Sequence, residues 1–175
     1  IARIEVPAGG NYTEVSTDIT VDEFSRTASN VDLSAGLVLS LYNDGSSNNG
    51  RQGEVYGYIK VFPDQVLCGV SRITNPEATA SEPLWQDSFS AGETQGKTCR
   101  LTIKWTGSLA FFSVQGPFER TLVFSSLYVP ETTIVSLSND HLFSLEIEAA
   151  KTNPASSGSL SAAFDNVAVN LSSAE

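Results

Sequence analysis

Apolar residues recur at every second position in block after block of this chain. The pattern is clearest over residues 99–124, CRLTIKWTGSLAFFSVQGPFERTLVF. There Leu101, Ile103 and Trp105 alternate with Thr102, Lys104 and Thr106, the period of a strand with one buried face. Gly107-Ser108 breaks the run, and 109–114 reads as a second strand rich in Phe. Gly116-Pro117 breaks it again before Leu122 to Phe124. Two hairpins in series are the economical reading, because antiparallel neighbours need only short turns. A meander of this kind leaves one apolar face and its edges open, so a second sheet must cover it.

The flanking sequence supplies that second sheet. Ile4 and Val6 alternate with Arg3 and Glu5. Val15, Ile19 and Val21 follow, with Thr17 as a polar interruption. Residues 22–35 are polar, with a short helical turn expected at Asp22-Glu23-Phe24. The near-continuous apolar run GLVLSLY at 36–42 predicts a central strand. In the next strand Val55, Gly57, Ile59 and Val61 share one face, and Tyr56, Tyr58, Lys60 and Phe62 the other. Further strands are predicted at 65–73, 133–137 and 142–147, the last with Phe143, Leu145 and Ile147 inward. The irregular stretch 77–97 is too long for a structureless loop and should hide a short strand at 84–89. In the final strand Val167 and Val169 share a parity that Phe164 does not, so one extra residue near Asp165-Asn166, a β-bulge, would restore the register. No helix of ten or more residues with a periodic apolar face occurs. The prediction is an all-β, two-sheet antiparallel β-sandwich of about ten to twelve strands.

Composition adds bounds. The 175 residues fit a single domain, and 41% hydrophobic residues are ample for a core. The chain opens at Ile1 and carries no Met, so a domain processed or excised from a larger protein is expected. No stretch approaches the roughly 18 apolar residues of a membrane span. Twenty acidic against ten basic residues give a net charge of −10, which repels nucleic acid and anionic lipid. Cys68 and Cys99 belong to no metal-ligand motif. In an exported domain they are expected to pair, a bridge contributing about 3–4 kcal/mol on loop entropy. Asn11-Tyr12-Thr13 and Asn170-Leu171-Ser172 are glycosylation sequons.

The ending SLSAAFDNVAVN, following LTIKWTGSLAFFSVQG, resembles the concanavalin A-like lectin/glucanase superfamily and its laminin G-like jelly-roll sandwiches. That resemblance implies a two-sheet jelly roll whose terminal F-D-N-V strand returns to pair near the N-terminal one. It also implies sugar binding and, in some members, glycan cleavage. The retaining glucanases of the group carry a run of carboxylates, E-x-D-x-x-E or similar, on one strand. The nearest run here is Glu146-Ile147-Glu148, with no Asp between the two carboxylates.

Candidate sites follow from chemistry. Sugars stack on aromatic rings ringed by polar hydrogen-bonders. Tyr56 and Tyr58 share a strand face, Trp85 sits in the irregular stretch, and Tyr128 stands at a strand–loop junction. Trp105 is in phase with the core. Glu146 and Glu148 lie about 6.5–7 Å apart by strand rise, a separation that glycosidases tolerate, but a solvated strand face explains such a pair equally. His141 beside Asp140 lacks a nucleophile motif. Calcium takes clustered oxygens, and Asp165 beside the bulge and Asp44 in the polar loop are the carboxylates placed to supply them.

These features favour a secreted or cell-surface, non-catalytic carbohydrate-binding module whose partner is a glycan or polysaccharide. A structural or adhesive module binding a cell-surface or matrix protein is the first alternative, and a glycoside hydrolase or polysaccharide lyase the second. Neither nucleic-acid binding nor membrane insertion is expected.

Overall fold

The computed structural model describes residues 2–8, 12–27, 31–44, 51–125, 141–151 and 155–171. These form eleven strands: β1 (Ala2–Ala8), β2 (Tyr12–Arg26), β3 (Val31–Asn43), β4 (Glu54–Val61), β5 (Gln65–Ile73), β6 (Ser81–Ser90), β7 (Thr98–Trp105), β8 (Leu109–Gln115), β9 (Arg120–Ser125), β10 (His141–Lys151) and β11 (Gly158–Leu171). They make two antiparallel sheets, ordered β1-β10-β3-β4-β5-β6 and β11-β2-β7-β8-β9. The described residues contain no helix, and hence none long and apolar enough to cross a membrane. The strand expected at 133–137 lies outside the described residues.

The sheets meet through the apolar faces that the alternation predicts. Leu37 and Leu39 of β3, Ile59 of β4, Leu101 and Ile103 of β7 and Phe112 of β8 are all fully buried between them. Phe143 and Leu145 of β10 join the same core. Gly57 faces this gap where the Phe112 ring crosses it: a Cβ there would lie 2.9 Å from Phe112 Cε1. Trp105 stacks on Tyr42 with ring centroids 5.3 Å apart. The meander forms as β7, β8 and β9, paired in sequence.

Thr17, which breaks the alternation of β2, is buried all the same. Its hydroxyl donates to the Asp165 carbonyl at 3.0 Å, so its polarity is satisfied across the β2–β11 ladder. That carbonyl belongs to the expected bulge. Asp165 pairs with Asp18 and Ala168 with Ser16, so β11 spends one more residue than β2 over the same stretch. Asn166 takes φ of 49° there, a left-handed conformation that Asn adopts more readily than most residues. The extra residue keeps Val169 opposite core Val15.

Three expectations are corrected. Asp22-Glu23-Phe24 is strand, not a helical turn, because β11 extends along it and sets Leu160 opposite Phe24. The hidden strand at 84–89 is longer, Ser81–Ser90. It tolerates Pro83 because, among the described residues, β6 is the outer strand of its sheet and has no neighbour on one side. Cys68 and Cys99 are both buried free thiols, not a disulfide. They belong to facing sheets, and the strands of the first sheet that close over β7 are β3 and β4, whereas Cys68 is on β5. A bridge needs Cα atoms within about 7 Å.

Candidate functional site

Alternation that sends Val55, Ile59 and Val61 into the core sends Tyr56, Tyr58 and Lys60 out through the other face of the six-stranded sheet. The same holds on β10, where Ser144, Glu146 and Glu148 alternate with Phe143, Leu145 and Ile147. These outward positions, with Ser40 of β3, Ser71 of β5 and Gln86 of β6, line a groove of about 480 Å³. The turn between β5 and β6 contributes Ala78, Thr79 and Ala80 to its rim. The lining is mixed, aromatic in the middle and hydroxyl, amide and charged around it, which is the make-up of a site that orients a polar ligand.

The two tyrosines differ in role. Tyr58 is only 5% exposed, yet it lies outside the inter-sheet core: its neighbours on the outer face cover it. Gln86 Nε2 donates to its phenolic oxygen at 2.5 Å, and Lys60 Nζ stands 5.6 Å from its ring centroid, a cation–π geometry. Tyr58 is therefore a fixed floor. Tyr56, with its centroid 6.1 Å from that of Tyr58, is half-buried and donates from its hydroxyl to Ser81 Oγ at 3.2 Å. It presents the accessible ring.

The carboxylates of the groove are engaged. Lys60 forms an ion pair with Glu148 across the β10, β3 and β4 positions, and Ser144 Oγ donates to Glu146 Oε1 at 2.9 Å. Glu146 is 8% exposed, so this strand face is not the solvated one that its sequence allowed. Beneath the groove wall Glu54 is 2% exposed. Arg51 grips its carboxylate with two donors, Nε to Oε2 at 2.5 Å and Nη2 to Oε1 at 2.8 Å, and the Ser40 hydroxyl donates to it as well.

Other predicted residues fall elsewhere. Trp85 points into the sandwich from β6, with its ring 5.5 Å from Phe112 and 5.9 Å from Phe124, so it is core and not part of the groove. Tyr128 lies outside the described residues. Asp44 pairs with Arg72 at 2.9 Å, beside the six-stranded sheet. Asp165 is on the other sheet, where its Oδ1 accepts from the Asn166 amide at 2.7 Å and so caps the bulge. The two do not share a site, and no group of three or more His, Cys, Asp or Glu able to hold a metal occurs among the described residues. His141 opens β10 opposite Ala8. Gln86, Lys60 and Arg51 of the groove, and Glu54 beneath its wall, are residues that sequence reasoning did not assign to a site. Only Lys60 gave a signal, through its phase with the tyrosines.

No protein-family model matches the chain, and no curated protein does. Solved structures do match in shape. A glycoside hydrolase family 16 endo-glucanase from Bacteroides ovatus superposes with a TM-score of 0.51 at 14% identity, over 96% of this chain and 74% of its own. SCLam, a non-specific endo-beta-1,3(4)-glucanase from family GH16, gives 0.51 at 10% identity, over 85% and 54%. The kappa-carrageenase from Zobellia galactanivorans gives 0.50 at 8%, over 86% and 56%. What the chain shares with them is the fold, a two-sheet antiparallel jelly-roll sandwich. This jelly roll spans little more than half the length of two of those structures. A point mutant of SCLam was co-crystallized with 1,3-beta-D-cellotriosyl-glucose, and the Bacteroides ovatus enzyme was solved in complex with G4G3G-2F-DNP.

Proposed function

We propose that the groove on the outer face of the six-stranded sheet binds a glycan chain, and that the chain is a non-catalytic docking module of an extracellular or surface-borne protein. The observation that carries this reading is Tyr56. It is an accessible ring set on a rigid aromatic floor and bordered by Ser40, Ser71, Ser81 and Gln86. A pyranose presents an apolar C–H face to such a ring and its hydroxyls to the rim, and the floor needs no ordering when the sugar arrives.

Hydrolysis is the second reading. Glu146 and Glu148 both line the groove, and the solved structures of like shape are glycan-cleaving enzymes by name. Against it stands the engagement of both carboxylates. Glu148 is ion-paired to Lys60, and Glu146 accepts from Ser144 Oγ.

The deciding experiment is affinity electrophoresis through gels containing soluble β-glucans, run beside an assay for new reducing ends. Retardation that Y56A abolishes, without reducing-end release, supports a docking module. Release that E146Q or E148Q abolishes would make the chain a hydrolase. Neither retardation nor reducing-end release with any glycan would overturn both readings.

A further inference from the structure

Among the described residues, the two cations on the groove wall, Lys60 and Arg51, are already matched by carboxylates. Lys60 is paired with Glu148, and Arg51 is held bidentately by the buried Glu54. Glu146 adds a further carboxylate to the same wall. The whole chain adds a net charge of −10. An anionic polysaccharide entering this groove would meet no unmatched cation among the described residues, and it would lose hydration to a surface of its own sign.

From this we infer that the groove selects uncharged glycans and rejects sulfated and uronate polymers. The inference rests on the glycan-binding reading above. Selectivity comes from the Lys60–Glu148 pair: Glu148 withholds from the ligand a cation that stands beside the Tyr58 ring. The pair thereby acts as a filter, rejecting the wrong partner by leaving its charge unpaired.

Binding of the full chain to a soluble uncharged mixed-linkage β-glucan, to kappa-carrageenan and to a polyuronate tests this, with wild type and Glu148→Gln compared. Wild type should bind the uncharged polymer alone. The Gln variant keeps the side-chain shape but uncovers Lys60. It should gain at least tenfold affinity for the sulfated polymer, and the gain should vanish near 0.5 M salt, where the Debye length falls to about 4 Å. Wild-type binding of carrageenan or polyuronate as tight as that of β-glucan would overturn the selectivity while leaving glycan binding intact. An E148Q variant that is folded by circular dichroism and gains nothing would overturn the role of the pair. Wild type that binds none of the three polymers would overturn the selectivity together with the glycan reading beneath it.

Discussion

The Tyr58 ring lies flat over Gly69 on the neighbouring strand: a Cβ at Gly69 would overlap the phenolic oxygen and sit 2.9 Å from Cε1. The two positions are paired across the β4–β5 ladder, so neither strand can slide to make room. Gly69 thus sets the depth of the groove floor. G69A should displace the ring, break the Gln86 bond and cost about 1–3 kcal/mol of stability. Glycan affinity should fall with it. Y58F keeps the ring and loses only the hydroxyl, so it should cost about 1 kcal/mol and bind nearly as well as wild type. Urea melts with binding isotherms check the pair. G69A with unaltered binding would show that the floor does not matter.

Tyr56 and Trp85 should separate site from core. Trp85 is wedged against Phe112 and Phe124, and W85A should cost about 3 kcal/mol, near the low end for a Trp because the ring is only half-buried. Y56A removes a half-exposed ring and should cost under about 1 kcal/mol of stability. Its glycan affinity should drop about tenfold, or about 1.4 kcal/mol. Since Trp85 and Trp105 both face the core, saturating glycan should leave the tryptophan emission maximum where it was. A marked shift on titration would place the sugar elsewhere.

How much of this was readable beforehand depends on what alternation records. Period-two patterning reports which face is apolar, so the inward sets of β4, β7 and β10 and the bulge in β11 were legible from parity alone. It does not report which of two strand faces meets a partner. Trp85 was misplaced for that reason: in a segment whose Leu84, Gln86 and Ser88 face one way and Trp85 and Phe89 the other, the sequence leaves the choice between groove and core open. The groove was half legible. Tyr56, Tyr58 and Lys60 share a strand, but Gln86 and Glu148 reach them from β6 and β10, 26 residues after Lys60 and 88 after it. Only strand order brings such residues together. Glu54 was invisible because burial of a carboxylate depends on Arg51 and Ser40 closing around it.

Asp18 gives a pH dependence with a definite sign. The Asn166 side-chain amide donates to its Oδ2 at 2.7 Å and Arg100 to its Oδ1 at 2.9 Å, and together they hold its carboxyl below the usual value against partial burial. A carboxyl whose folded pKa is depressed adds stability above its unfolded pKa, near 3.9. That stability is lost as pH falls through the folded value. Acid should therefore loosen the β2–β11 ladder around the bulge first, below about pH 4. D18N should be less stable than wild type at neutral pH, and the difference should shrink toward about pH 3. Denaturant midpoints for both proteins across that range test it. Parallel curves would mean that Asp18 is not the linked group.

Cys68 and Cys99 make the last test, because free thiols and a disulfide predict opposite chemistry. Burial, first, and the nearby Asp87 and Asp18 carboxylates, second, push both thiols up to about 12. At pH 8 almost none of either is thiolate, and the thiolate is the reactive form. Native protein should therefore react with an aromatic disulfide reagent at least a hundredfold more slowly than a free thiol of ordinary pKa near 8.5. Unfolding in guanidinium without reductant should then expose two thiols per chain at once. Single C68A and C99A variants should each titrate one thiol and lose about 1 kcal/mol or more from the cavity left in the core. Finding no thiol in the unreduced, unfolded chain would mean that the two sheets are bridged after all. The β5–β7 spacing in this fold would then have to be closer than it is here.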